Sequence, residues 1–291
     1  MYKTGYVGIV GKTNAGKSTL VNALVGEKVS IVTPKTQTTR QNITGILTRE
    51  NYQIVFVDTP GIHKSQNNLD RFMMKNVRSA IGSVDILIYV VDCTKKVDKH
   101  ELENIKTYAQ TDGLDTILVV SKIDLVSKND LLIFLANFTE VQGLKVILPL
   151  SAKKGQNTKA LIEEILKLLP ESQEKNFAYE EDLYTDSSVR FMSAEIVREK
   201  ALLKLNEELP HGLAIEITKF DETETFAYID MDLICEKENH KSIILGKRGE
   251  MLKEIGTLAR ADIEKLLAKK IMLKIFVKVD KNWRQKKINM V

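Results

Sequence analysis

Several absences narrow the class of this 291-residue chain. No stretch of 18 or more consecutive apolar residues occurs, so no helix built to span a bilayer is expected. The two cysteines, Cys93 and Cys235, lie far apart in strand-like surroundings, with no cluster of metal-ligating side chains around either. A disulfide framework and a thiolate metal site are therefore not expected, and both residues read as buried thiols. The opening MYKTGYVGIV lacks the layout of a signal peptide and runs straight into a strand-like segment. No coiled-coil repeat appears, so a monomer is expected. What is present is ordinary for a soluble protein, 43% apolar and 28% charged, with length enough for one or two domains. Charge is unevenly spread. The net charge is +4, yet residues 241–291 alone carry 14 Lys and Arg against 5 Asp and Glu, which leaves the rest of the chain at −5. A basic stretch on a mildly acidic body points to a polyanion-binding surface or, more blandly, to a solubilising face.

Strand and helix patterns alternate over residues 1–170. The apolar runs at 6–10, 43–49, 52–57, 85–91, 116–120 and 146–150 read as strands, and 17–25, 70–81, 101–109, 130–138 and 158–169 as helices. The run DILIYVV has no polar alternation, as a strand buried on both faces requires. The pattern predicts an α/β domain with a doubly wound, mostly parallel sheet. Residues 171–187 lack periodicity and read as a linker, whose Tyr and Phe are able to pin it against one domain. Residues 188–291 then predict a smaller α+β domain. It starts with a helix over 189–209 bearing one apolar stripe, followed by strands at 213–219 and 225–235, a helix at 250–268 and a closing strand at 271–279.

Residues 11–18, GKTNAGKS, are a complete G-x-x-x-x-G-K-S phosphate-binding loop placed between a strand and a helix. Gly11 and Gly16 let backbone N–H groups of Lys12, Thr13, Asn14, Ala15 and Thr19 turn toward phosphates at a helix N-terminus. Lys17 is expected to reach the β- and γ-phosphates, and Ser18 to put its hydroxyl on Mg²⁺. Asp58 closes a strand and heads Asp58-Thr59-Pro60-Gly61; its carboxylate points to the ligand crevice and the same metal, and Gly61 is the pivot that senses the γ-phosphate. The polar stretch 33–42 between them reads as a loop that orders around Mg²⁺, with Thr39 favoured over Thr38 as the hydroxyl that completes the metal shell. Ser121-Lys122-Ile123-Asp124 follows an apolar strand. Asp124 can accept from guanine N1–H and the 2-amino group, which penalises adenine. The Lys122 stem covers the base plane, and in Ser151-Ala152-Lys153 the Ala152 N–H is expected to meet guanine O6. Taken together these segments predict GTP rather than ATP. No general base is evident: Ile62 cannot orient a water, and a structural role for His63 is at least as good a reading as a catalytic one. Hydrolysis should rest on Lys17, Asn14, Thr39 and Gly61 through positioning and charge.

Downstream, Gly246-Lys247-Arg248-Gly249 lies in the basic stretch. A G-x-x-G turn lets a nucleotide backbone approach closely. Lys247 and Arg248 face phosphates, and Ile243, Ile244, Leu245, Met251, Leu252 and Ile255 supply a floor for bases or simply core. Lys253, Arg260, Lys269, Lys270, Lys281 and Arg284 are candidate rim charges or ordinary solvated residues.

The stretches GKTNAGKST, QTTR (37–40), VDTPGIHK (57–64), SAKKG (151–155), TDSSVRFMSAEIVREK (185–200), ELPHGLAIEI (208–217) and SIILGKRGEMLKEIG (242–256) together resemble the Era-like GTPases over almost the whole chain. The resemblance implies a P-loop GTPase domain fused to a type II KH domain. It further implies binding to the 3′ end of 16S ribosomal RNA, a role in assembly of the 30S subunit, and a cytoplasmic location with loose inner-membrane association. A hydrophobic residue in place of a catalytic glutamine is typical of that class and fits Ile62. Asn14 matches the position that helps bind K⁺, although loop capping is a competing role. Two departures stand out. Ser121 replaces the usual Asn of N-K-x-D; its short hydroxyl is expected not to reach guanine N7 and brace the phosphate loop together, which weakens nucleotide binding. The chain also ends RQKKINMV after Trp283, without the longer ending of relatives. A second reading, an RNA-binding assembly factor with a weak or vestigial nucleotide site, draws on Ser121 and Ile62.

Overall fold

A computed structural model describes residues 1–35, 37–62, 68–205 and 212–283. The chain groups into two compact units. One holds Met1–Ser30, most of the segment from Thr39 and Asp70–Asp186; the other holds Ile31–Thr38 and the chain from Ser187.

The first unit is built on strands β1 (Tyr2–Gly11), β2 (Ile43–Arg49), β3 (Tyr52–Asp58), β4 (Ile86–Asp92), β5 (Asp115–Ser121), β6 (Leu144–Pro149) and β7 (Glu171–Ser172). The sheet order is β2-β3-β1-β4-β5-β6, parallel except for β2 against β3, with β7 antiparallel to β1. Helices α1 (Lys17–Val25), α2 (Asn68–Ile81), α3 (Lys99–Ala109), α4 (Lys128–Leu135) and α5 (Thr158–Leu168) connect the strands. Every residue of β4 is buried, which is why its sequence runs apolar without alternation. Burying each of its large aliphatic side chains contributes roughly 1.5–3 kcal/mol. The strand order reverses at β1, which has β3 on one side and β4 on the other. Such a switch point opens a crevice beyond the strands' C-terminal ends. Gly11, Asp58, Asp92 and Ser121 all end strands there.

Three local expectations change. The helix expected at 130–138 starts at Lys128, where the Ser127 hydroxyl accepts from Asp130 N, and tightens into a 3-10 turn over Ala136–Phe138. Residues 171–187 are not a free tether. Tyr2–Lys3 pair with β7, the Gln53 amide exchanges two hydrogen bonds with the Tyr179 backbone, and Ile46 N donates to Tyr184 O. Tyr2 and Phe177 meet edge-on, 6.3 Å apart. The third change concerns the first helix of the second unit, α6 (Val189–Lys204), capped by Ser188. It is buried almost all round rather than along one stripe, and its buried residues include Ser193, Glu195, Arg198 and Glu199. Residues 206–209, also expected to be helical, lie outside the described residues.

Strands β8 (Ala214–Glu222), β9 (Phe226–Cys235) and β10 (Lys270–Val279) form the sheet of the second unit in the order β10-β9-β8. Strand β8 runs antiparallel and β10 parallel to β9. Ala227, Ile229, Met231, Leu233 and Cys235 turn alternate positions of β9 into the core with Ala194, Val197, Ile255, Ala259 and Ile263. Helices α7 (Glu238–Leu245) and α8 (Glu250–Leu267) form the crossover from β9 to β10.

Candidate nucleotide site and nucleic-acid interface

The phosphate loop starts where β1 runs out. Gly11 has φ 146°, and a Cβ there would lie 2.3 Å from Val90 O, so only glycine allows the turn. Gly16 precedes α1 in a left-handed conformation, leaving the first N–H groups of the helix turned outward for an anion. Lys17 is buried, and its ammonium donates to Gly11 O at 3.2 Å and Lys12 O at 3.0 Å. Burial pushes its pKa down to about 8, and nearby Asp58 opposes only part of that fall. The Lys12 side chain is drawn away, to Asp98 at 2.6 Å and Glu101 at 2.8 Å on the α3 side. Lys12 therefore serves the loop through its backbone.

Beside Lys17, the Ser18 and Thr39 hydroxyls lie 2.9 Å apart. Asp58 Oδ2 accepts from Ser30 Oγ at 2.7 Å. Its Oδ1 is buried and has no hydrogen-bond partner among the described residues. Burial raises the Asp58 pKa against the pull of Lys17 and the hydroxyls of Ser30, Ser18 and Thr39. An orphaned buried carboxylate oxygen next to two hydroxyls is a hard, oxygen-only donor set of the kind Mg²⁺ takes. Thr38 is spent elsewhere: its hydroxyl donates to Lys35 O at 2.8 Å and lies 2.7 Å from Thr33 Oγ1.

After Asp58 the chain folds against the phosphate loop. The Thr59 hydroxyl donates to Ile9 O at 2.8 Å, so it braces the sheet instead of facing a ligand. Pro60 is buried. A Cβ at Gly61 would come within 2.7 Å of Thr13 Cα and N, and Ile62 N donates to Gly11 O at 3.0 Å. His63 lies outside the described residues.

On the base side, Asp124 Oδ1 accepts from Ser151 Oγ at 2.6 Å, which orients the carboxylate. Ala152 and Lys153 follow in the turn closed by Gly155 N to Ala152 O. The Lys122 ammonium bridges Asn14 O at 2.8 Å and Asp92 Oδ2 at 2.6 Å. Burial alone would raise the Asp92 carboxyl, but Lys122 and Thr94 together hold it below its ordinary value. Ser121 takes up one of the two tasks that an Asn would share. Its hydroxyl lies 2.7 Å from Ala15 O and 2.9 Å from Val91 O, so it does brace the phosphate loop. A hydroxyl has one proton, and donating it there leaves none for guanine N7. Ser121→Asn should keep the brace and add the second donor, tightening GDP by about 5- to 10-fold in a calorimetric titration. An unchanged Kd would show that the missing N7 contact costs this site nothing.

In the second unit, α7 ends at Gly246 (φ 70°), where a Cβ would lie 2.7 Å from Met251 Cβ. Lys247 and Arg248 are exposed on the following turn, and Gly249 (φ 80°) opens α8. Between α8 and β10 runs a groove of about 380 Å³ whose lining includes Gly249, Leu252, Lys253, Gly256, Thr257, Arg260, Leu273 and Ile275. Ile244 is not part of its surface; it has no exposed area and packs in the core, and Met251 packs partly buried against that core. Arg260 pairs with Glu264, and Lys269 with Glu222. Arg284 lies outside the described residues.

The sequence reading missed Ser30, Asp92, Gly256, Leu273 and Ile275. Asp92 carried a signal, since it ends an apolar strand as Asp58 does. The others depend on tertiary neighbours.

Residues 6–122 match the family described as 50S ribosome-binding GTPase, and residues 208–284 match the KH domain. GTPase Era of Clostridium acetobutylicum is 45% identical over 98% of this chain and 95% of its own, and that of Clostridium kluyveri is 42% identical over 98% and 96%. Two solved structures, each 36% identical, match with a TM-score of 0.92 over 98% of this chain and 96% of theirs. One is Era in complex with MgGDPNP and nucleotides 1506–1542 of 16S ribosomal RNA; the other is an Aquifex aeolicus Era variant bound to GDP and AlF4⁻. With this likeness running along nearly its whole length, and with both a GTPase and a KH domain matched, the chain belongs to the Era family of GTPases.

Proposed function

We propose that this GTPase acts as a nucleotide-dependent switch that binds the 3′ end of 16S ribosomal RNA through the groove between α8 and β10 and assists assembly of the 30S subunit. The observation that carries the nucleotide half is Asp58, fully buried beside Lys17, Ser18 and Thr39, with one oxygen unsatisfied among the described residues. Ser18, Thr39 and Asp58 would hold Mg²⁺, which supplies charge neutralisation for the β- and γ-phosphates. Lys17 leaves its two loop carbonyls to meet the same phosphates. Asp124, held by Ser151, selects guanine. Ile62 offers no hydrogen bond to an attacking water, so rate enhancement rests on positioning and charge. In this reading Asn14 helps hold a K⁺ ion that adds to that charge. The RNA half rests on the G-x-x-G turn and on the RNA complex of the related Era. The reading places the protein in the cytoplasm as a monomer, with any membrane association peripheral; no described helix is long and apolar enough to cross a membrane.

Multiple-turnover phosphate release with GTP and ATP, each in KCl and in NaCl, tests the nucleotide half. Crosslinking to RNA followed by sequencing tests the other. GTP-selective, K⁺-stimulated turnover and crosslinks at the 16S 3′ end are expected. Equal turnover of ATP, or crosslinks scattered over unrelated RNA, would overturn the corresponding half.

A pH dependence follows from Lys17. Its pKa is about 8 in the free protein, whereas bound phosphates hold it protonated. Below pH 8 affinity should be flat. Above it, binding takes up a proton and affinity for GDP should fall by about tenfold per pH unit. Calorimetry in two buffers of different ionisation enthalpy measures that proton uptake directly, and its absence at pH 9 would contradict the assignment.

A further inference from the structure

The segment Ile31–Thr38 ends one residue before Thr39, yet it groups with the second unit. Two buried side chains of α6 hold its backbone. Glu199 Oε1 accepts from Val32 N at 3.0 Å, and Arg198 Nη2 donates to Thr38 O. Arg198 has no exposed surface. Its guanidinium is held by both oxygens of Glu195, with Nε to Oε1 at 2.6 Å and Nη2 to Oε2 at 2.7 Å. Glu199 is in turn bridged by Lys200, which also pairs with Asp262. Burying so many charges on one helix is costly, and apolar side chains would pack the same space at lower cost. What a fork of fixed geometry supplies instead is a precise hold on a carbonyl.

We propose that Arg198 is a positioning residue for GTP hydrolysis: by holding the Thr38 carbonyl it fixes the backbone that presents the Thr39 hydroxyl to the metal site. The inference rests on the reading of Thr39 as a metal ligand. Its reach is set by covalent geometry, since a planar peptide joins the Thr38 carbonyl to Thr39 N. Glu199 secures the other end of the segment at Val32, and Thr33, Lys35 and Thr38 knit its middle. Because coupling of this kind is reciprocal, Mg²⁺ and a GTP analogue should in turn tighten the grip of Arg198 on Thr38.

The experiment uses the full-length chain and two variants. Arg198→Lys keeps the charge and loses the fork. It is expected to lower kcat with GTP by about tenfold and to raise the Mg²⁺ concentration for half-maximal rate, with partial rescue at high Mg²⁺ and GDP affinity within about twofold of wild type. A purely structural role would instead weaken GDP binding and melting temperature together, without a Mg²⁺-dependent rescue. Thr39→Ala separates the two ideas. Normal hydrolysis by Thr39→Ala would remove the metal-ligand reading itself. A collapse of activity in Thr39→Ala beside unchanged kcat and Mg²⁺ requirement in Arg198→Lys would overturn the role of Arg198 alone. If Arg198→Lys does not fold, the wild type decides. The guanidinium protons of Arg198, followed by NMR, should exchange more slowly with Mg²⁺ and a non-hydrolysable GTP analogue than with GDP, and equal exchange rates would overturn the proposal.

Discussion

Lys17→Ala should lower kcat/KM for GTP by about 10³-fold, the loss seen when one preorganised donor is taken from a charged transition state. Three features make the effect large. The Lys17 ammonium is buried, so its field is little screened by water. Among the described residues its hydrogen bonds go to two carbonyls of its own loop, Gly11 O and Lys12 O, which it can exchange for phosphate oxygens. Among the described residues the two nearest lysines of the loop are committed elsewhere, Lys12 to Asp98 and Glu101 and Lys122 to Asp92. The variant also leaves Asp58 without the charge that offsets its burial, so its carboxyl should shift further upward and Mg²⁺ should bind more weakly at neutral pH. Phosphate release measured over a range of Mg²⁺ separates the two contributions. Added Mg²⁺ should recover the part lost through Asp58 and leave the larger part unrecovered. A variant that turns over GTP at the wild-type rate would mean that the phosphates lie elsewhere.

What could be read from the sequence and what could not follow from the range of the interactions. The phosphate loop is a local object, and strand, glycine turn and helix follow one another without interruption from Tyr2 to Val25. Strand β4 announced itself because a strand covered on both faces has no reason to alternate. Ser30 reaches Asp58, and Ser121 reaches Ala15, only through the packing of distant strands. For Ser121 the loop it touches was legible, and the Val91 carbonyl that shares its hydroxyl was not. Strand β7 is two residues long, too short for any periodicity, so residues 171–187 looked unstructured although residues of β1, β2 and β3 hold them. Helix α6 departed from a single stripe because Arg198 and Glu199 are occupied with the backbone of Ile31–Thr38 and Glu195 with Arg198, contacts that no helical pattern encodes. In α7 the pair Ile243 and Ile244 are adjacent and chemically alike. Ile243 is 49% exposed and Ile244 fully buried, and that choice is made by the helix's rotation against α8 and β10, which a short apolar run leaves open.

Arg248 sets up the second large effect. It is a non-glycine residue at φ 52° inside the turn between Gly246 and Gly249. A left-handed conformation costs an ordinary side chain about 1–2 kcal/mol, and glycine nothing comparable. A turn selected for stability alone would hold glycine at this position, so the arginine is kept for what its exposed guanidinium does. Lys247→Ala combined with Arg248→Gly is therefore expected to melt no lower than the wild type while its affinity for a 16S 3′-end fragment falls by on the order of 10²-fold at low salt. The loss should also be recognisable by its salt dependence. Removing two phosphate contacts to single-stranded RNA reduces the slope of log affinity against log salt by about 1.4, whereas a misfolded groove would abolish binding at every salt concentration. GTP hydrolysis without RNA should be unchanged, since no residue of the G-x-x-G turn belongs to the nucleotide site. Fluorescence anisotropy at several KCl concentrations measures both quantities. An unaltered slope together with unaltered affinity would place the RNA on a different surface and leave the strain at Arg248 without a function.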